Sequence, residues 1–302
     1  MFIRQFEYLD ALAREKHFRR AAELCNVSQP TLSSALAQLE DELGVLLIER
    51  DPRFQGLTPE GELVLSRVRH VLVEIEMMRA EVAEARNGLS GKLRFGVIPT
   101  ALPLAVHVTA PFCAICPAVT LEVLSLTSAE ILERLANFEL DAGMTYLDNE
   151  PLPGVIVKPI YAETYCLLTR ADGPLGDRTS ISWAEAAELK LCLLTGDMQN
   201  RRIIDGIFRS VGKTPRPAME TNSIFNLCTH AALPGVNSIA STQVLELFGP
   251  PQGVKALPLV EPDARRMVGL VIADRRPAPP LARKLMQTAT PLPTADPSAG
   301  VA

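Results

Sequence analysis

Apolar residues repeat along this chain with three different periods, and each period predicts a different kind of element. Up to residue 58 they recur in short helical bursts. Phe6, Leu9, Leu12 and Ala13 share one face of a first helix. A second helix, roughly Arg19 to Cys25, ends at Asn26, a residue that tolerates the left-handed position after a helix. Ser28 then offers an N-cap oxygen, and Pro30 sits in the first turn, where its missing N–H costs nothing. The third helix runs from about Gln29 to Leu43, with Leu32, Leu36, Leu39 and Leu43 as its inner stripe and Gly44 as its C-cap. Val45 to Ile48 predicts a short strand, Asp51-Pro52 a turn, and Gln55 to Thr58 a returning strand. Two capped helices joined by a tight turn and followed by such a ribbon, which carries Arg50 and Arg53, predict a winged helix-turn-helix over residues 1–58.

From residue 59 to 88 the period lengthens. Thr58, Pro59 and Glu60 supply an N-cap, an N1 proline and an acidic first turn. Val64, Val68, Val71, Ile75, Met78, Val82 and Ala85 then fall at alternating spacings of four and three, the a/d seam of a coiled coil. This predicts a dimerisation helix, which would present two recognition helices to two DNA half-sites. The competing reading packs the helix on its own domain. Gly88 and Gly91 frame a hinge over residues 89–92.

From residue 92 onward short apolar strands alternate with helices: 92–98, 119–124, 140–145, 155–160, 165–169, 191–195, 217–221, 236–240 and 268–273 all read as strands. Alternation of this kind predicts α/β layers with largely parallel sheets over residues 93–287, where ligands sit beyond the carboxyl ends of the strands. The fold class is thus a multidomain α+β chain. Residues 288–302, rich in Pro, Ala, Thr and Ser, predict a disordered tail.

The polar residues at those strand ends are the candidate effector lining: Thr100, Ser125, Thr127, Ser128, Thr145, Thr195, Asn222 and Ser223. Several open helices, where free N–H groups favour an anion such as a carboxylate. Arg201 could clamp such a group with its guanidinium fork. The competing reading for Thr100, Ser128 and Ser223 is simple helix capping, and for Arg201 a surface position.

Composition is that of an ordinary globular chain, 47% hydrophobic and 22% charged, with a net charge of −5 that lends no global support to a polyanionic partner. Residues 1–58 hold seven basic side chains against nine acidic ones, so phosphate attraction falls to Arg19, Arg20, Arg50 and Arg53. Base-edge contact falls to Ser28, Gln29, Thr31, Ser33 and Ser34 near the start of the third helix. Periodicity and caps alone leave DNA binding and protein interaction both open. No run of 18 apolar residues and no secretory or lipidation signal occurs, which predicts a cytoplasmic chain with no membrane partner.

The residues themselves decide between the two. The stretch from Phe18 to Ser33, with Ala21, Ala22, Leu24, Val27, Ser28, Gln29, Pro30, Leu32 and Ser33, resembles the LysR-type transcriptional regulators, as do Leu39 to Arg50 and Leu57 to Gly61. The resemblance implies that Gln29, Thr31, Ser33 and Ser34 face the operator and that Arg50 and Arg53 lie on the wing. The chain departs from the family pattern at Ser34 and Ala37, where members commonly carry Arg, Lys or Gln. It further implies a regulatory domain of two subdomains hinged like a periplasmic binding protein, one about 93–163 with 266–287 and the other about 164–265. A small effector would sit in the cleft, Thr100 and Ser128 matching its loops. Promoter DNA, a homodimer or tetramer, and RNA polymerase are the partners the resemblance implies.

Six cysteines are spread over the chain. Cys113-x-x-Cys116 has metal or redox spacing but no second ligand pair. Cys192 and Cys228 are candidates for a peroxide-sensing pair in such a regulator, opposed by the position of Cys192 inside a strand. The four histidines show no metal spacing, and no metal or cofactor is expected. A solute-binding protein would leave the heptad helix unused. An enzyme would need a non-contiguous catalytic constellation, since no Gly-rich phosphate loop, nucleophile elbow or HExxH motif occurs.

Overall fold

The computed structural model describes residues 1–51, 53–275 and 277–292, and the chain forms two compact units, Met1–Gly88 and Leu89–Ala302. In the first unit α1 (Ile3–Glu15), α2 (Phe18–Leu24) and α3 (Gln29–Leu43) are followed by a ribbon of β1 (Ile48–Asp51) and β2 (Arg53–Leu57) and then by α4 (Pro59–Asn87). Leu9, Leu12, Leu32, Leu36 and Leu39 are fully buried and form one core with Ile48, Leu65 and Val68. Asn26, with φ +55°, turns the chain between α2 and α3, and Gly44, with φ +70°, ends α3. The ribbon starts three residues later than its apolar pattern suggests. Glu40, buried on α3, accepts the N–H groups of Leu47 at 2.9 Å and Ile48 at 3.1 Å, so the chain enters the wing from a fixed corner. The expected turn at Asp51-Pro52 includes Pro52, which lies outside the described residues.

Two tertiary contacts fix α4 on this unit. Arg69 and Asp10 of α1 form a largely buried ion pair at 2.8 Å. At the start of α4, Thr58 Oγ1 caps Gly61 N–H at 2.9 Å and donates to Leu46 O at 2.6 Å. Leu65 and Val68 therefore belong to the unit's own core.

The second unit holds two sheets. The first contains β3 (Gly91–Val97), β4 (Val119–Ser125), β5 (Ala142–Tyr146), β6 (Val155–Glu163) and, near the chain end, β13 (Arg266–Ala273), in the order β4-β3-β5-β13-β6. The second contains β7 (Tyr165–Arg170), β8 (Ile181–Ser182), β9 (Leu191–Leu194), β10 (Met219–Thr221), β11 (Asn237–Ser241) and β12 (Val254–Val260), in the order β10-β9-β11-β7-β12-β8. Each sheet has three parallel strands flanked by an antiparallel neighbour: β4, β3 and β5 beside β13, and β10, β9 and β11 beside β7. The chain passes between sheets twice, at Thr164 and through residues 261–265. Around the sheets lie α5 (Val106–Ile115), α6 (Ser128–Ala136), α7 (Trp183–Ala186), α8 (Gln199–Ser210), α9 (Ile224–His230), α10 (Thr242–Phe248) and α11 (Pro280–Thr288). A continuous core, with Phe95, Phe112, Trp183 and Phe208 fully buried, runs through both sheets.

Two boundaries differ from the sequence reading. Gly91 and Lys92, assigned to the hinge, already pair in β3. Thr288, assigned to the tail, closes α11, while Ala289 is buried and Leu292 N–H donates to Ile160 O at 2.8 Å. Apolar side chains at 289 and 292 outweigh the flanking prolines there. Residues 293–302 lie outside the described residues.

Candidate functional site

The first site is the start of α3. Ser28 Oγ accepts from Thr31 N–H at 3.3 Å and shares a 2.7 Å hydrogen bond with the Thr31 hydroxyl. With Leu32, Leu36 and Leu39 held in the core, Ser28, Gln29, Thr31 and Ser34 stand exposed and Ser33 half-buried. These side chains are neutral, so any base readout there rests on hydroxyl and amide hydrogen bonds. Arg19 and Arg20 are exposed but engaged, the first by Glu23 at 2.9 Å and the second by Glu15 at 3.3 Å. Arg50 stands on β1 and Arg53 on β2; their side chains lie outside the described residues.

The seam of α4 divides in two. Val68 is buried and Val64 half-buried against the unit's own core. Val71, Met78 and Val82 are 41%, 58% and 56% exposed, with Ile75 half-buried between them. The side chain of Ala85 lies outside the described residues. The packing reading thus holds for Val64 and Val68, while Val71, Met78 and Val82 are left exposed on the single chain.

The second site is a narrow cleft between the two sheets of the second unit. Ile98, Pro99 and Thr100 after β3, Thr127 and Ser128 at the start of α6, and Tyr146 at the end of β5 form one wall. Leu194 at the end of β9, Met198 just before α8, and Gln199 and Asn200 at its start form the other. The walls stand close, leaving room for about one water-sized molecule. Ser128 Oγ and both amide atoms of Gln199 are buried without a hydrogen-bond partner, as is Thr195 Oγ1 nearby in sequence. Buried polar atoms are rarely left unpaired, so such atoms facing a cleft mark a place where a ligand completes the bonding.

Three of the expected lining residues, Thr100, Thr127 and Ser128, meet in this cleft. Thr127 also caps α6, its hydroxyl accepting from Glu130 N–H at 3.2 Å, and the returned Thr127 N–H and hydroxyl hold the Glu130 carboxyl below its usual range. Thr145 does not line the cleft, because alternation along β5 sends Tyr146 there instead. Thr195, Asn222 and Ser223 are absent from its walls, Ser223 serving to cap α9 through Asn226 N–H. Arg201 is not a free clamp: it donates to Asp205 at 2.9 Å, Leu194 O at 2.7 Å and Glu220 at 2.5 Å. Among the described residues no Lys or Arg lines the cleft.

Behind Tyr146 lies a group that the sequence reading missed. Tyr146 Oη donates to Glu163 Oε1 at 2.6 Å, and Asn200 Nδ2 donates to the same tyrosine oxygen at 2.9 Å and to Glu163 Oε1 at 3.3 Å. Thr100 Oγ1 stands 3.2 Å from Tyr146 Oη. Glu163 is wholly buried, and burial raises its carboxyl to about 7, against the opposing pull of the Tyr146, Tyr165, Ser241 and Thr100 hydroxyls. Its second oxygen has no hydrogen bond. The same burial, with Glu163 nearby, pushes the Tyr146 and Tyr165 phenols well up.

A stability prediction follows from that carboxyl. The native state holds the Glu163 proton up to about pH 7, whereas an unfolded chain releases it near 4.3. Stability therefore falls as pH rises between those values, by up to about 4 kcal/mol from this group alone, and is flat in this term above them. The fluorescence of Trp183, the single Trp and fully buried in this unit, reports the transition. In Glu163→Gln the difference in unfolding free energy between pH 5 and pH 8, from urea titrations, should shrink by most of that amount; an unchanged difference would assign the effect to other groups.

The described cysteines form no disulfide and none lines the cleft. Burial pushes Cys166 up to about 12 and Cys228 up to about 11, and raises Cys192. Among the described residues no His, Cys, Asp and Glu side chains cluster as metal ligands, and no helix is long and apolar enough to cross a membrane.

Comparison with known proteins agrees with both halves of this architecture. Residues 3–62 match the family of bacterial regulatory helix-turn-helix proteins of the lysR type, and residues 86–291 match the LysR substrate-binding domain. The "Hydrogen peroxide-inducible genes activator" of Escherichia coli O6:H1 is 33% identical over 295 residues, covering 96% of this chain and 94% of its own. The structure of a full-length OxyR variant from Pseudomonas aeruginosa superposes with a TM-score of 0.78 at 28% identity, over 96% and 94% of the two chains. Full-length CbnR complexed with its target DNA shares the fold, with a TM-score of 0.68 at 21% identity over 96% and 99%. With a helix-turn-helix unit, a two-sheet regulatory unit and relatives matched along nearly its whole length, the chain belongs to the LysR family of transcriptional regulators, a family of regulators and not of enzymes.

Proposed function

We propose that this chain is a ligand-responsive, sequence-specific regulator of transcription that sets two copies of α3 on promoter DNA and senses a small molecule in the cleft between its two sheets. The observation that carries the sensing half is the set of partnerless buried polar atoms at the cleft, Ser128 Oγ and the Gln199 amide. A ligand acts only through its different affinity for the open and closed arrangements of the two walls, and changes DNA occupancy through that difference. Ser128→Val and Gln199→Leu are expected to leave ligand-free operator binding unchanged in a gel-shift titration. Both should abolish the change in operator binding that small-molecule extracts produce with the wild type. A response that survives both substitutions would place the effector elsewhere. On the DNA side, Gln29→Ala should weaken operator binding by about 1–3 kcal/mol while barely changing affinity for random duplex.

The named relatives suggest peroxide as the signal, and a thiol relay is the usual means of reading it chemically. The thiols of this chain do not support that route, since the thiolate is the reactive form and burial suppresses it at Cys166, Cys192 and Cys228. Thiol counting and mass spectrometry after peroxide treatment of the folded protein should show those three thiols still reduced and no intramolecular disulfide. Formation of a Cys192–Cys228 bridge would restore the thiol reading.

A further inference from the structure

We propose that buried Glu163 fixes the chemical class of the effector: a small neutral molecule with an N–H or O–H donor beside an acceptor, to the exclusion of carboxylates. The inference deepens the reading of the cleft as the effector site and rests on it. Its basis is the direction of the hydrogen bonds that leave the cleft. Tyr146 has one proton and gives it to Glu163 Oε1. Its oxygen is thereby left to accept, from Asn200 Nδ2 and from the Thr100 hydroxyl. Asn200 commits its amide N–H groups to Tyr146 and Glu163. What remains for a ligand on Thr100 and Asn200 is acceptor capacity, the Thr100 Oγ1 lone pairs and the Asn200 carbonyl.

The facing groups ask for the opposite. α8 is preceded at its N-cap by Met198, which has no side-chain oxygen to cap the free N–H groups of the first turn, and the adjacent Gln199 amide is unpartnered. These can donate to a ligand acceptor. The N-terminus of α6 differs, because Glu130 already supplies a carboxylate there. A molecule carrying a donor and an acceptor side by side satisfies both walls at once. A carboxylate offers two acceptors and places a second negative charge near Glu163.

Among the described residues no ion pair neutralises that carboxylate. Tyr146 faces it from β5, Tyr165 from β7, Ser241 from the end of β11 and Asn200 from α8, with Tyr161 on its own strand. Arg266 stands opposite in the β6–β13 ladder, yet its Nη1 donates to Arg265 O and no ion pair joins it to Glu163 among the described residues. The charge therefore reaches the cleft through Tyr146, and disappears from it when Glu163 takes up a proton near neutral pH.

Formamide and formate, alike in size and shape, test this on the full-length protein by NMR titration of the Thr100 methyl and Asn200 side-chain amide signals. At pH 8 formamide should bind the cleft at least about tenfold more tightly than formate, as expected for one unit charge at partly screened distance. At pH 6, where formate is still ionised but Glu163 is largely protonated, that ratio should contract severalfold. In Glu163→Gln the ratio should be small and the same at both pH values. Formate binding as well as formamide at pH 8, or a preference indifferent to both pH and substitution, would overturn the proposal while leaving the cleft as the site. Should neither probe move the cleft signals, the effector site itself is misplaced and both readings fall. The wild-type pH comparison decides the matter even if Glu163→Gln does not fold.

Discussion

Gly61→Ala should destabilise the helix-turn-helix unit by roughly 4 kcal/mol, near the limit of what one methyl group does. A Cβ at this position would lie 2.1 Å from the carbonyl oxygen of Leu47 and 3.0 Å from its carbon. Neither can rotate aside, since both belong to the backbone corner that Glu40 ties down through Leu47 and Ile48 N–H. Relief requires α4 to lift from the wing, which breaks the Thr58 bonds to Leu46 and Gly61 and disturbs the packing of Leu65 and Val68. The measurement can separate the units. Trp183 belongs to the regulatory unit, so its fluorescence transition should stay where it is while the far-ultraviolet circular dichroism transition splits and moves to lower urea. Coincident, unshifted transitions would show that the corner absorbs the methyl group. Operator binding should fail in parallel.

Replacing Met78 and Val82 together by Glu should convert the protein to a monomer and lower operator affinity by about a hundredfold or more. Both side chains are more than half exposed on the single chain and continue a heptad stripe begun by Val71. A second copy would bury them, and each carboxylate would then have to be desolvated beside its symmetry mate without a partner, at a cost of several kcal/mol. The wild type gains from two half-sites held by one molecule, a gain that vanishes when the copies separate. Analytical ultracentrifugation is the check. A double variant that still sediments as the wild type does would remove α4 from the interface. Val64 and Val68 are poor choices for the same experiment, because they serve the unit's own core and their loss would unfold it.

How much of this was legible in the sequence depends on whether the deciding force is local. The ends of α3 were, because Ser28, Pro30 and Gly44 act on their own backbone within one turn. The start of the wing was not: Val45 to Leu47 have the apolar character of a strand, but a carboxylate seven residues upstream holds Leu47 N–H. The double role of α4 was hidden for a related reason. A heptad stripe says that a face is covered, not by whom, and the answer changes between Val68 and Val71. In the cleft, choosing Thr145 over Tyr146 was an error of parity by one residue on β5, and a strand end carries no internal mark of which face turns inward. Glu163 did leave a signal, a single charge in an otherwise uncharged run from Pro159 to Thr169. An acid in such a run either faces solvent or is a buried functional group, and Glu163 is fully buried although β6 is the edge strand of its sheet.

The two passages of the chain between the sheets have a mechanical meaning. The whole second sheet is spliced in between Glu163 and Arg266, and these two residues are direct neighbours across the β6–β13 ladder. The inserted lobe hangs on two adjacent backbone strands, which yield readily to torsion and hardly at all to extension. Its natural displacement is thus a twist about a short axle running beside Glu163. A molecule wedged between Ser128 and Gln199 would turn that axle, while the distance between the lobes' attachment points stayed constant.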